Sequence, residues 1–179
     1  MKMTAQISEQ ALENLVDTFF RASAGSWRSQ RRYYTLKSGD TQEVVSLLTV
    51  QPLQQGCDEL RQLARKHELA DDAALVCGVL TTWESNYVGP SPKQTEGSTV
   101  FGVKGCQLYR DRGFSTPKPI IAQFSMRNSE TMSLRTEYSG NVFEEEVKLI
   151  GQQYRTRQTI ISRAGEEVMI GQYLETRMT

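Results

Sequence analysis

The chain has 179 residues, with 21 lysines and arginines against 21 aspartates and glutamates and a single histidine. That length suits one domain spanning 1–179, able to bury on the order of 70% of its unfolded surface without disulfide staples. Zero formal charge argues against nucleic acid or an anionic membrane as the main partner, and three scattered cysteines beside His67 alone offer no zinc-ligand spacing.

Met1 to Gln10 lacks a charged segment followed by an apolar core, so no secretion signal is expected. No apolar run reaches the ~18 residues of a membrane span, and the protein is expected to be soluble and cytoplasmic. Ile7, Ala11, Leu15, Val16, Phe19 and Phe20 recur at helical spacing, with Ser8 placed as N-cap and Gly25 as the stop. Strands follow at 28–37 and 42–51. A short polar helix is predicted over about 57–69, with Leu60, Leu63 and Ala64 on its inner face. The remainder reads as strands at 75–85, 98–104, 106–111, 119–126, 131–138, 141–150, 153–163 and 166–174. Turn chemistry at Ser38-Gly39-Asp40, Arg127-Asn128-Ser129, Ser139-Gly140-Asn141, Gly151 and Ala164-Gly165-Glu166 separates most of them. The stretch 86–97, with Gly89-Pro90-Ser91-Pro92, is expected to be a mobile loop. About ten strands joined by short polar gaps predict a mainly β fold: an antiparallel up-and-down barrel with an N-terminal helix and one further short helix. A barrel of that strand number encloses one ligand.

Strand alternation sorts candidate site residues onto faces. Arg155 and Arg157 share a face, and the opposite set of Tyr154, Thr156 and Gln158 makes a poor core. The pair therefore reads evenly as a solvated outer face or as a cationic site for carboxylates or phosphates. Arg28, Gln30, Arg32 and Tyr34 oppose Trp27, Ser29, Arg31 and Tyr33; neither face is apolar, so one of them is a candidate lining of a polar cavity. Arg135 and Glu137 oppose Met132, Leu134 and Tyr138, while Glu144, Glu146 and Lys148 oppose Phe143, Val147 and Leu149. Trp83 and Glu84 fall on opposite faces unless a bulge intervenes. Cys57, Cys77 and Cys106 read as free thiols with no visible basic neighbour to make one catalytic.

Gly25-Ser26-Trp27 after a helix resembles the Gly-x-Trp opening of lipocalin-type barrels, where the Trp plugs the closed end. The longer string Phe19-Phe20-Arg21-Ala22-Ser23-Ala24-Gly25-Ser26-Trp27-Arg28-Ser29-Gln30-Arg31 closely resembles the opening of the S-type (CpcS/CpeS) phycobiliprotein lyases. Val76-Cys77-Gly78, Trp83-Glu84, Glu96-Gly97-Ser98-Thr99-Val100 and Arg112-Gly113-Phe114 follow in the family's order. Phe124-Ser125-Met126, Thr136-Glu137-Tyr138 and Arg155-Thr156-Arg157 complete the set, over about 19–174. The resemblance implies a lipocalin-like barrel that binds an open-chain tetrapyrrole, phycocyanobilin or phycoerythrobilin, as cargo. It implies thioether formation with a cysteine of an apo phycobiliprotein subunit (phycocyanin, allophycocyanin or phycoerythrin, the β chain foremost). A homodimer or a heterodimer with a related lyase, and a cyanobacterial cytoplasm or plastid stroma, come with it. No permanent cofactor or metal is expected. In that reading Arg155 and Arg157, with Arg28 or Arg31, hold the propionates, and Trp83 stacks on a ring. Glu84 or Glu137 faces the pyrrole nitrogens. Tyr33 and Tyr34 stand where many members carry histidine, and Tyr34 is the substitute proton donor. A bilin carrier that makes no bond, or a partner subunit of a heterodimeric lyase, remain alternatives on the same barrel.

Overall fold

The chain runs α1 (Glu9–Ala22), β1 (Gly25–Thr35), β2 (Thr41–Gln54), α2 (Asp58–Lys66), β3 (Cys77–Val88), β4 (Gln94–Lys104) and β5 (Gln107–Arg110). It continues through β6 (Ile120–Asn128), β7 (Thr131–Tyr138), β8 (Asn141–Ile150), β9 (Tyr154–Arg163) and β10 (Glu166–Arg177). The computed structural model describes residues 7–179, so the first six residues of the Met1 to Gln10 segment lie outside it. Each strand pairs antiparallel with its neighbour in sequence, and β1 meets β10 to close the barrel. This is the expected up-and-down topology, and closure leaves no sheet edge.

One end is sealed by α1. Ser8 caps the helix, its Oγ accepting from the Ala11 N–H at 3.2 Å. Val16, Phe19 and Phe20 turn inward and are buried against the barrel floor, each contributing about 1.5–3 kcal/mol. Gly25, at φ +117°, makes the bend into β1 that a side chain would resist. Trp27 is fully buried just beyond it, donating from Nε1 to the Ser23 carbonyl oxygen at 2.9 Å. Arg177 lies over the indole with 4.2 Å to the ring centroid. Its guanidinium donates to the carbonyl oxygens of Ala22, Ala24 and Gln152, tying helix, β1 and the β8–β9 turn together.

Helix α2 packs outside the barrel. Gly78 and Gly102 pair across β3 and β4, which flattens the outer sheet face where Leu60 and Leu63 land. A methyl group on Gly78 would lie 2.2 Å from the Phe101 carbonyl oxygen and 2.6 Å from Leu60 Cδ2. The two-residue hairpin turns Ser139-Gly140 and Ala164-Gly165 take positive φ at both positions, the twist that matches adjoining strands.

One expectation needs correcting. The stretch 86–97 is mostly ladder, with Asn86 opposite Gln94 and Ser85 opposite Thr95. Only 89–93 connects the strands. Tyr87, Val88 and Thr95 favour extended pairing, and the two prolines are confined to the turn, where a missing N–H does no harm.

Candidate functional site

The barrel encloses a cavity of about 330 Å³. Its floor is Phe19 and Phe20, and one side is apolar, built from Leu48, Val79, Phe101, Leu134 and Val147. The facing side, on β1, β9 and β10, presents Arg31, Tyr33, Arg155, Arg157 and Tyr173. Arg110 from β5 and Arg112 just beyond it complete a set of five lining arginines, with no carboxylate among the described lining residues.

Two glutamates stand behind this surface. Glu145 on β8 and Glu175 on β10 are 5% and 0% exposed. Arg155 donates through Nε to Glu175 and Arg157 through Nη2 to Glu145. Arg110 Nη1 reaches Glu145 Oε2 only at 4.0 Å. Burial by itself would raise the Glu145 carboxyl, but Arg157 and Arg110 outweigh it and hold the group below the usual carboxylate range. Burial would likewise lower Arg157, yet Glu145 holds it above the usual guanidinium value. Burial pushes the Tyr173 phenol up despite Arg157, so it stays a neutral hydroxyl. Arg31 and Arg157 lie over the Tyr173 ring, at 5.1 and 5.5 Å to its centroid. Five arginines against two glutamates leave a local surplus of three positive charges (5 − 2).

At the mouth, Trp83 lies flat against the β4 backbone: a methyl group on Gly97 would sit 2.6 Å from Trp83 Cζ2. Arg112 covers its ring at 5.7 Å. Phe114, in the loop after β5, packs on Phe143, and Tyr138 holds that loop by accepting from the Ser115 N–H at 2.9 Å.

The structure brings Trp83, Arg31, Arg155 and Arg157 to one cavity. It does not bring the other named residues there. Glu84 is exposed on the outer face, because regular pairing with Leu47 and Glu96 leaves no bulge to turn it in beside Trp83. Glu137 also faces out and is ion-paired to Arg135. Arg28 and Tyr34 share the outward parity of β1, and Tyr34 borders a shallow outer depression with Arg32 and Glu43. The polar cavity lining of β1 is the Trp27, Ser29, Arg31 and Tyr33 face.

Glu145, Glu175 and Arg110 went unnoticed in the sequence, although a signal existed. Glu145 has the parity of Phe143, Val147 and Leu149, Glu175 that of Tyr173, and Arg110 that of Leu108. A lone charge at an inward position among apolar ones marks a buried pair or a site. Cys77 is buried, and burial pushes its thiol up to about 12. Among the described residues no cluster of His, Cys, Asp and Glu is arranged to hold a metal, and no helix is long and apolar enough to cross a membrane.

A closed ten-stranded barrel, plugged by a helix at one end and lined by arginines facing an apolar wall, defines a lipocalin-like ligand-binding protein. The chain belongs to the CpeS-like protein family, whose model matches residues 15–178. A Nostoc sp. protein named as a phycocyanobilin lyase, CpcS 2, is 54% identical over 178 residues, 99% of each chain. A Picosynechococcus sp. protein named as the chromophore lyase CpcV is 50% identical over 161 residues, 89% of this chain and 80% of that one. Among solved structures, the S-type phycobiliprotein lyase CPES from Guillardia theta superposes with a TM-score of 0.77 over 92% of this chain and 93% of that one, at 22% identity, a likeness of fold.

Proposed function

We propose that this protein is a phycobiliprotein chromophore lyase: it binds a linear tetrapyrrole and attaches it through a thioether to a cysteine of an apo phycobiliprotein subunit. The observation that carries the reading is the two-sided cavity, apolar on one wall and lined by Arg31, Arg155 and Arg157 on the other, with Arg110 and Arg112 bringing the positive surplus of the whole site to three (5 − 2). A bilin is a long conjugated apolar chain with two carboxylates and so matches both walls. The names carried by the relatives, phycocyanobilin lyase and chromophore lyase, agree with it.

In this reading Arg31, with the donors that Arg155 and Arg157 do not give to Glu175 and Glu145, faces the propionates for charge-assisted hydrogen bonds, and Trp83 offers a ring face at the mouth. Glu84 and Glu137 face outward, and Glu145, behind the lining and held ionised by Arg157 and Arg110, takes their place through its charge alone, which favours the protonated and more electrophilic bilin. A cavity of about 330 Å³ lies at the low end for ligand sites; a four-ring molecule overfills it, leaving one end in the open mouth for the client. The client sulfur then bonds the ethylidene carbon, and the thiol hydrogen ends on the adjacent ring carbon, with no oxidant consumed. Orientation and choice of cysteine are the protein's main contribution, and none of its own thiols forms an intermediate.

The test mixes purified protein with phycocyanobilin or, separately, phycoerythrobilin, together with an apo phycobiliprotein β subunit. A denaturation-resistant adduct at one client cysteine, formed faster and cleaner than without the protein, is the expected result and names the bilin. Reversible binding with no gain in transfer would instead leave a carrier or half of a heterodimer, which added related lyases would separate.

A further inference from the structure

Three arginines and two glutamates meet deep in the barrel, and the pairing is unequal. Arg155 and Arg157 each donate a hydrogen bond to a carboxylate. Arg110, 8% exposed, does not: its contact with Glu145 at 4.0 Å is too long for a hydrogen bond. Its Nε has no partner among the described residues, and an aromatic face, Phe101 at 4.9 Å, covers the guanidinium. Burial holds its pKa below the ordinary guanidinium value, yet an arginine stays protonated in a folded protein. A cation kept desolvated with half a partner destabilises the empty barrel. Such groups collect at binding sites, where a ligand supplies what is missing.

The backbone at this position is held from outside. His67, which follows α2, donates from Nε2 to the Arg110 carbonyl oxygen at 2.8 Å, and its ring meets Tyr109 edge-on at 5.0 Å. The side chain is thereby directed into the lumen, where it lines the same cavity as Arg31 and Arg155.

We propose that Arg110 is the inner carboxylate anchor of the cavity, the guanidinium left free to receive one carboxylate of a dianionic ligand while Arg155 and Arg157 stay engaged with Glu175 and Glu145. The proposal rests on the bilin reading above. It assigns the strongest carboxylate contact to a β5 residue rather than to the paired arginines of β9.

The experiment titrates wild type and Arg110→Met with phycocyanobilin and with its dimethyl ester, following the visible absorbance of the bound chromophore. Thermal unfolding of each ligand-free protein is recorded alongside. Losing a charge-assisted hydrogen bond weakens binding of the free acid by about 10- to 100-fold. The ester, with no carboxylate to offer, binds the two proteins equally. The ligand-free variant melts no lower than wild type, because methionine replaces an ill-paired cation. Should Arg110→Met fail to fold, Arg110→Lys and Arg110→Gln carry the comparison: the lysine keeps the preference for acid over ester and the glutamine loses it. Equal binding of the acid by variant and wild type would overturn the assignment, as would an equal loss for acid and ester. A wild type that binds neither form overturns the bilin reading and the role of Arg110 with it.

Discussion

Replacing Glu145 by glutamine keeps the shape of the side chain and removes the single negative charge shared by Arg157 and Arg110. Breaking a buried pair by removing one partner typically costs about 3–5 kcal/mol, because the other charge is left uncompensated. The Arg157 side chain is 26% exposed and that of Arg110 9%, so water repays part of the loss and the lower end, about 3 kcal/mol, is expected. For a protein of this length each kcal/mol moves the melting midpoint by about 2–4 °C, which places Glu145→Gln roughly 6–12 °C below wild type. The pH dependence gives a second check. The Glu145 carboxyl lies below its ordinary value in the folded protein. Its stabilisation is therefore fully present above the unfolded value of about 4.3 and is lost as pH falls through the lower folded value. Urea unfolding from pH 7 down to pH 3 should show the gap between the two proteins closing in acid. A Glu145→Gln protein within about 0.5 kcal/mol of wild type at pH 7, or a gap that does not change with pH, would refute the account of an ionised, doubly bracketed carboxylate.

Other expectations follow from the geometry. Gly78→Ala sets a methyl group against the Phe101 carbonyl, which cannot step aside, and should cost about 1–3 kcal/mol in urea unfolding as α2 is pushed off the sheet. Gly97→Ala meets only the indole of Trp83; thermal stability should change little, while the buried state of Trp27 leaves Trp83 as the residue whose acrylamide quenching increases. Ala164, at φ +51°, should gain about 0.5–1 kcal/mol on replacement by asparagine, which tolerates the first position of that turn. Iodoacetamide at pH 8 should label exposed Cys106 first, while buried Cys77, its thiol pushed up to about 12, stays unmodified until the protein unfolds; mass spectrometry of the peptides reads the order.

Most of the architecture was legible because its signals are local. The apolar repeat of α1, the Ser8 cap, the turn dipeptides and the period-two patterning of β6 to β8 each depend on residues a few positions apart, and so does the antiparallel pairing of strands joined by short turns. The ends of β3 and β4 were harder. Polar, proline-flanked residues such as Asn86 and Gln94 look like loop until each finds the other across a ladder.

The site divides along the same line. Sequence alone could place Arg155 beside Arg157, and Arg31 beside Tyr33, on shared faces, because parity along a strand is a property of the chain. Which face looked inward was undecidable for β1 and β9, whose two sides are equally polar, and the wrong side of β1 supplied Arg28 and Tyr34 as candidates. Closure of the barrel decided it: once Trp27 is buried under Arg177 and α1, every second residue of β1 follows it into the lumen. Only the tertiary structure could pair Arg157 with Glu145 and Arg155 with Glu175 and leave Arg110 the least satisfied of the three. Those contacts join different strands, and the low dielectric that sets their strength exists only inside the closed barrel.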